Sequence, residues 1–156
     1  PNVGKSALIN RLVKKKVVSS AKKAGETRSL RWVRLGQNLD LLDAPGVLPP
    51  RLDDQRSALK LAICNDIGQA SYDIEEVAIS FIKLLKQLAV NENSGVTDVL
   101  LKERYGISSG NSSLDENHWL ELAADHHTSG NTRTMAQRLI DDFRKIRLGN
   151  IALEVP

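Results

Sequence analysis

The sequence of 156 residues is 41% hydrophobic and 26% charged, enough apolar content for a packed core and an ordinary charge density for a soluble chain. No apolar run approaches the roughly 20 residues that a membrane-spanning helix needs, so the chain is not expected to cross a bilayer. A single cysteine, Cys64, excludes an internal disulfide and fits a reducing compartment, and its neighbours Leu61, Ala62 and Ile63 predict a buried core thiol.

The chain opens without Met on Pro1-Asn2-Val3-Gly4-Lys5-Ser6, which places its start inside a motif. These residues read as the second half of a phosphate-binding loop, G-x-x-x-x-G-K-[ST], whose first glycine falls just before residue 1. Gly4 lets the backbone curl so that successive N–H groups point at phosphate oxygens. Lys5 is a flexible point charge that reaches β/γ-phosphates, and Ser6 offers a hydroxyl to Mg²⁺. The loop residues Asn2, Val3, Gly4, Lys5, Ser6 and Ala7 together form the predicted nucleotide-contacting set. The run Ala7, Leu8, Ile9, Leu12 and Val13 has helical spacing, which predicts a helix from about Lys5 to Lys15 with its positive end toward the anion.

Val17-Val18-Ser19-Ser20 is β-prone and leads into a polar loop through Ser29. In that loop, Gly25-Glu26-Thr27 offers a threonine hydroxyl that would complete a Mg²⁺ shell and order the loop around a γ-phosphate; a plain loop residue is the other reading of Thr27. Leu30 to Leu35 alternates like a strand with one buried face, Gly36-Gln37-Asn38 is a turn, and Leu39 to Leu42 is a second strand. The two make an antiparallel hairpin, the second strand lying inside a larger parallel sheet. It ends in Asp43-Ala44-Pro45-Gly46, at the carboxyl end of a strand where a nucleotide hydrolase needs a carboxylate for Mg²⁺ and a backbone N–H, that of Gly46, for a γ-phosphate oxygen.

After Leu48-Pro49-Pro50 the pattern is helical. Helices are expected from about Asp53 to Ile67, over the stripe Ile74, Val77, Ala78, Phe81, Ile82, Leu85 and Leu88, and from Thr97 to Arg104. Ser113-x-x-Glu116 reads as a capping box opening a helix through His126. Met135, Leu139, Phe143 and Ile146 stripe a last helix that Gly149 ends, and Ile151-Ala152-Leu153 is a candidate terminal strand. Charge is unevenly spread: residues 1–60 hold 13 Lys/Arg against 5 Asp/Glu (+8), and residues 61–156 hold 9 against 14 (−5). Lys14, Lys15, Lys16, Lys22, Lys23, Arg28, Arg31 and Arg34 make the basic cluster, which fits either a polyanion partner or a solvated lysine-rich helix end.

Pro1 to Ser6, Ala24-Gly25-Glu26-Thr27 and Leu41-Leu42-Asp43-Ala44-Pro45-Gly46-Val47 resemble the G1, G2 and G3 motifs of circularly permuted GTPases, most closely the ribosome biogenesis GTPase A (YlqF-like) family. The resemblance extends to Lys102-Glu103-Arg104-Tyr105-Gly106 and Arg147-Leu148-Gly149-Asn150-Ile151. It implies an α/β fold over residues 1–50, the C-terminal part of a P-loop GTPase domain, followed by an all-α domain over 51–156. In that family the guanine-reading Asn-Lys-x-Asp precedes G1, and no such motif occurs here after Gly46. The resemblance implies GTP as substrate, Mg²⁺ held by Ser6, Thr27 and Asp43, and a K⁺ ion held by Asn2. Lys5, Thr27 and Gly46 are the implied catalytic set. Val47 stands where Ras-like GTPases carry a water-orienting glutamine. Ala24 departs from the proline usual before the G2 glycine and implies a less rigid loop. The implied partner is the large ribosomal subunit and its rRNA, with no membrane, no oligomer, and a cytoplasmic or organellar location.

Other features invite plainer readings. Adjacent His126 and His127 diverge by about 100° on a helix and make a poor metal site. Trp32 and Trp119 are expected as core anchors, and Arg133, Arg138, Arg144, Lys145 and Arg147 as a solvated helix face. The expected function is a GTP-hydrolysing switch in large-subunit assembly. A non-catalytic RNA-binding scaffold with a relic loop is the alternative, and an unpermuted P-loop ATPase or GTPase the third. The chain as given, without the first loop glycine, is expected to bind GTP poorly and to be inactive.

Overall fold

The computed structural model describes residues 4–15, 29–35, 39–46, 53–90, 96, 99–108 and 114–154. Two compact units divide the chain, residues 1–71 and 72–156.

In the first unit, helix α1 (Lys5–Val13) precedes an antiparallel pair, β1 (Arg31–Arg34) and β2 (Asp40–Asp43). The register sets Arg31 opposite Asp43, Trp32 opposite Leu42, Val33 opposite Leu41 and Arg34 opposite Asp40. Leu35 donates its backbone N–H to the Leu39 carbonyl at 2.9 Å and closes the hairpin. The expected hairpin is therefore present, and no third strand accompanies it among the described residues. Because side chains alternate along a strand, Val33, Leu35 and Leu41 share one face, and they pack with Ile9 and Val13 of α1. Trp32 lies on the other face and is 69% exposed, with Leu30 and Leu42 beside it in the solvent; it is not the core anchor that its size suggested. On the helix, Ala7, Leu8 and Leu12 point outward, so only Ile9 and Val13 of the five-residue apolar run face the core.

Helix α2 (Gln55–Ile63) starts on Asp54, whose carboxylate accepts from the backbone N–H groups of Arg56 at 3.0 Å and Ser57 at 3.2 Å. Those bonds, the Ser57 hydroxyl first among them, hold the Asp54 carboxyl below its ordinary range. The helix stops four residues before the expected Ile67. Asn65 turns left-handed and the Asp66 N–H reaches back to the Leu61 carbonyl at 2.8 Å. Cys64 falls at this cap and is exposed, against the expectation of a core thiol: Ala62 and Ile63 occupy the buried face, and one further residue rotates off it.

The second unit is all helical: α3 (Ile74–Ala89), α4 (Leu100–Tyr105), α5 (Glu116–His127) and α6 (Thr132–Arg144). Helix α3 packs on α5 and α6, and α5 packs on α6. The stripe predicted for α3 is wholly buried. Phe81 meets Phe143 at a ring separation of 5.0 Å, and the fully buried Trp119 stands edge-on to Tyr105 at 5.7 Å while its indole N–H donates to the Ile107 carbonyl. Asp73 caps α3, Asn131 caps α6, and Asp115 caps α5 through the His118 N–H at 2.7 Å. Ser113, the expected cap of α5, lies outside the described residues, and Asp115 holds that position instead. Residues 151–154 carry no regular structure, so the terminal strand is not formed there.

The end of α6 also differs from expectation. The first left-handed residue after it is Ile146 (φ 60°), three residues before the left-handed Gly149. The Ile146 N–H bonds the Phe143 carbonyl at 2.9 Å, and the Arg147 N–H bonds the Asp142 carbonyl at 2.8 Å. This paired closure normally carries glycine at the left-handed position, because a β-branched residue there crowds its own backbone. Ile146 is 62% exposed, so it gains little from burial. Ile146→Gly is expected to stabilise the protein by about 0.5–1 kcal/mol, the relieved left-handed strain exceeding the extra chain entropy of glycine. A higher urea midpoint at unchanged slope is the readout.

Candidate functional site

The site is built where α1 begins and β2 ends. Gly4 precedes the helix with φ 89°, a conformation that favours glycine, and its carbonyl accepts the first helical bond from the Leu8 N–H at 2.9 Å. No side chain caps this helix start and no acidic residue occupies its first turn. The first-turn N–H groups and the positive end of the helix dipole thus form an anion-favouring tip.

Lys5, Ile9 and Val13 are spaced four apart and so share one stripe of the helix. Ile9 and Val13 seat that stripe on the inner face of the hairpin. On β2, Asp43 follows Leu41 by two residues and points to the same face. Where Ile9 and Leu41 meet, Lys5 and Asp43 are carried together one helical turn further on. The Lys5 ammonium forms an ion pair and hydrogen bond with Oδ1 of Asp43. Asp43 is only 2% exposed, while the Lys5 side chain is 36% exposed. Asp43 is one of two buried acidic residues in the described core, the other being Asp142.

Of the remaining predicted residues, Ser6 and Ala7 lie in the first turn of α1, Ser6 half-buried and Ala7 exposed, and Gly46 lies exposed just beyond β2. Asn2, Val3, Thr27 and Val47 lie outside the described residues. The two motifs placed Gly4-Lys5-Ser6 and Asp43 around one site, and the structure brings Lys5 and Asp43 into contact.

A match to the family model described as "50S ribosome-binding GTPase" covers residues 1–103. The chain belongs to this family of ribosome-binding GTPases. It is similar to the ribosome biogenesis GTPase A of Bacillus pumilus, 39% identical over 87 residues, covering 56% of this chain and 31% of that protein. The same-named protein of Priestia megaterium is 34% identical over 108 residues, 69% of this chain and 35% of its own length. A probable ribosome biogenesis GTPase A of Mycoplasma genitalium is 41% identical over 87 residues, 56% of this chain and 32% of that protein. The chain therefore spans about a third of the length of these relatives. A lysine and a carboxylate thus stand together where α1 begins and β2 ends. Asp43 and Ser6 supply the hard oxygen donors that Mg²⁺ prefers, so the residues present fit that ion.

In the helical unit, sequence reasoning missed a cluster around Asp142. Its carboxylate accepts from the Tyr105 hydroxyl at 2.9 Å, from Arg104 at 2.8 Å and from Arg147 at 3.0 Å. Burial alone would raise the Asp142 carboxyl, but the hydrogen bonds from Arg104, Tyr105 and Arg147 outweigh it and hold the group below its ordinary value. Burial and the bond to Asp142 push the Tyr105 phenol well upward, and the same carboxylate raises Arg104. Arg147 is thereby pinned rather than freely solvated. Arg144 also departs from a solvated face, contacting the Tyr72 hydroxyl at 3.4 Å and Asp141 at 3.9 Å. His127 shares a hydrogen bond with the Tyr105 carbonyl at 2.9 Å, and among the described residues no cluster of three metal-ligating side chains occurs. No helix among them is long and apolar enough to cross a membrane.

Proposed function

We propose that the full-length protein hydrolyses GTP and acts as a switch in assembly of the large ribosomal subunit. The observation that carries this reading is the meeting of Lys5 and buried Asp43 beside an uncapped helix start, in a chain of the 50S ribosome-binding GTPase family. Residues 1–50 are the C-terminal part of a circularly permuted GTPase domain, and residues 51–156 a helical domain that assists docking. Lys5 neutralises the β/γ-phosphates, with the backbone of Asn2, Val3, Gly4 and Ala7 around them. Ser6, Asp43 and Thr27 hold Mg²⁺, Asn2 holds K⁺, and the Gly46 N–H bonds the γ-phosphate. An Mg²⁺ ion held there would supply positive charge against the phosphates. Thr27 orders its loop only while the γ-phosphate is present, which makes the loop the switch. The names of the relatives, ribosome biogenesis GTPase A, support the ribosomal role, and the basic cluster around Lys14, Lys15, Arg31 and Arg34 suits rRNA phosphates in the cytoplasm or an organelle.

The experiment is a titration of the full-length protein with a fluorescent GTP analogue, followed by turnover with and without large ribosomal subunits. Saturable binding competed by GDP, with turnover raised by the subunits, is expected. Subunit binding without any GTP binding overturns the reading in favour of a scaffold with a relic loop.

A further inference from the structure

Three apolar stripes form the core of the first unit, and each of them ends in a charge. On α1, Val13 and Ile9 lead to Lys5; on β2, Leu41 leads to Asp43; on β1, Leu35 and Val33 lead to Arg31. The register sets Arg31 directly opposite Asp43. Residues paired in this way hold their Cβ atoms about 5 Å apart on one face of the sheet. Two cations and one carboxylate thus converge where α1 begins. Lys5 pairs with the buried Asp43, while Arg31 stands exposed at the edge of the same cluster. Resting on the GTPase reading above, we infer that Arg31 is a further catalytic residue, whose guanidinium binds the γ-phosphate oxygens during phosphoryl transfer.

Position sets Arg31 apart from the rest of the basic cluster. Lys14 and Lys15 follow the far end of α1, and Arg34 lies on the opposite face of β1, where it bonds Asp40 at 3.3 Å. Those three stay available to RNA, whereas Arg31 shares a face with Asp43. With one acid against two cations, one positive charge is in surplus beside a helix start that holds no acidic residue. An anion placed there meets net attraction from both the side chains and the helix end. In hydrolysis a water oxygen bonds the γ-phosphorus while the bond to the β–γ bridging oxygen breaks. The bridging oxygen keeps the electron pair in GDP, and the water's proton leaves with the released phosphate. Charge is spread over the γ oxygens during this exchange, so a cation placed beside them acts on the barrier. Lys5 supplies a compact charge from the helix side, and the planar fork of Arg31 binds two oxygens at once from the strand side.

In the full-length protein, Arg31→Ala is expected to lower the kcat for GTP about a hundredfold and to change KM little. Arg31→Met, neutral and of similar length, is expected to lose as much, which separates lost charge from lost packing. The complex with GDP and aluminium fluoride, a mimic of the transferring phosphoryl group, is expected to weaken by about the same factor, while GDP alone binds as in the wild type. Unchanged turnover in both variants, or an equal loss of affinity for GDP and for the fluoride complex, overturns the inference. So does a variant whose one defect is weaker binding to large ribosomal subunits, since Arg31 then serves RNA. A wild type that hydrolyses no GTP overturns the GTPase reading instead, and that failure is read before any variant is made.

Discussion

Replacing Lys5 with alanine in the full-length protein is expected to lower GTP turnover by at least about a thousandfold. The lysine pairs with buried Asp43, and the first turn of its helix holds no acidic residue to oppose a phosphate. The chemistry of phosphoryl transfer leaves little for a protein to do except position groups and balance charge, so loss of one placed ammonium falls directly on the barrier. Lys5→Arg is expected to recover little, since a planar guanidinium does not replace a compact ammonium on a tight loop. Steady-state turnover at saturating GTP measures the effect. Unfolding of the nucleotide-free variants, followed by circular dichroism, separates a catalytic loss from a folding one. Turnover within tenfold of the wild type in a folded Lys5→Ala protein would sink the assignment.

The second large effect concerns stability. Asp142 is 1% exposed and holds Arg104, Tyr105 and Arg147 while its own backbone closes α6. Asp142→Ala leaves the buried Tyr105 hydroxyl without its acceptor and two guanidinium groups without their anion. Because both arginines are partly in water, they rehydrate in part, which places the expected loss near the lower end for a broken buried pair, about 3 kcal/mol. Neighbouring Asp141 is half-exposed, pairs with Lys145 at 3.4 Å, and is the control: its alanine variant is expected to cost less than about 1 kcal/mol. The pH dependence follows from the depressed Asp142 carboxyl. Its contribution is complete above the unfolded value of 3.8 and is lost as pH falls from there through the lower folded value. The stability gap between wild type and Asp142→Ala should therefore be constant near neutrality and narrow below about pH 3.8. A gap that widens on acidification would contradict the charge-paired role.

Several elements were legible because local pattern and tertiary packing agree on them. The stripe from Ile74 to Leu88 is long, apolar and strictly periodic, and α3 buries all of it. The hairpin was legible from alternation around Gly36-Gln37-Asn38, and the meeting of Lys5 with Asp43 from the motifs that hold them. Trp32 was not, because both faces of β1 offer comparable apolar groups: Leu30 and Trp32 on one, Val33 and Leu35 on the other. Period two separates the faces without saying which one meets the helix. Cys64 failed for a related reason, as a helix that ends at Ile63, four residues early, turns an expected core position into a cap. Asp142 was hidden because a carboxylate in an apolar stripe looks like a solvent-facing residue until Arg104, Tyr105 and Arg147, remote or post-helical in sequence, are brought to it.

What the chain determined by itself is therefore the chemistry that depends on short spacing: a glycine that permits the left-handed turn, a lysine and serine in the first helical turn, and a carboxylate at a strand end. Those follow from backbone geometry over a few residues and need no distant partner. Which face of the hairpin is covered, where α2 and α6 stop, and which acids lie buried with cations upon them were decided only by the tertiary structure. Burial is a property of pairs of elements, and the same alternating sequence is consistent with either face until a second element covers one of them.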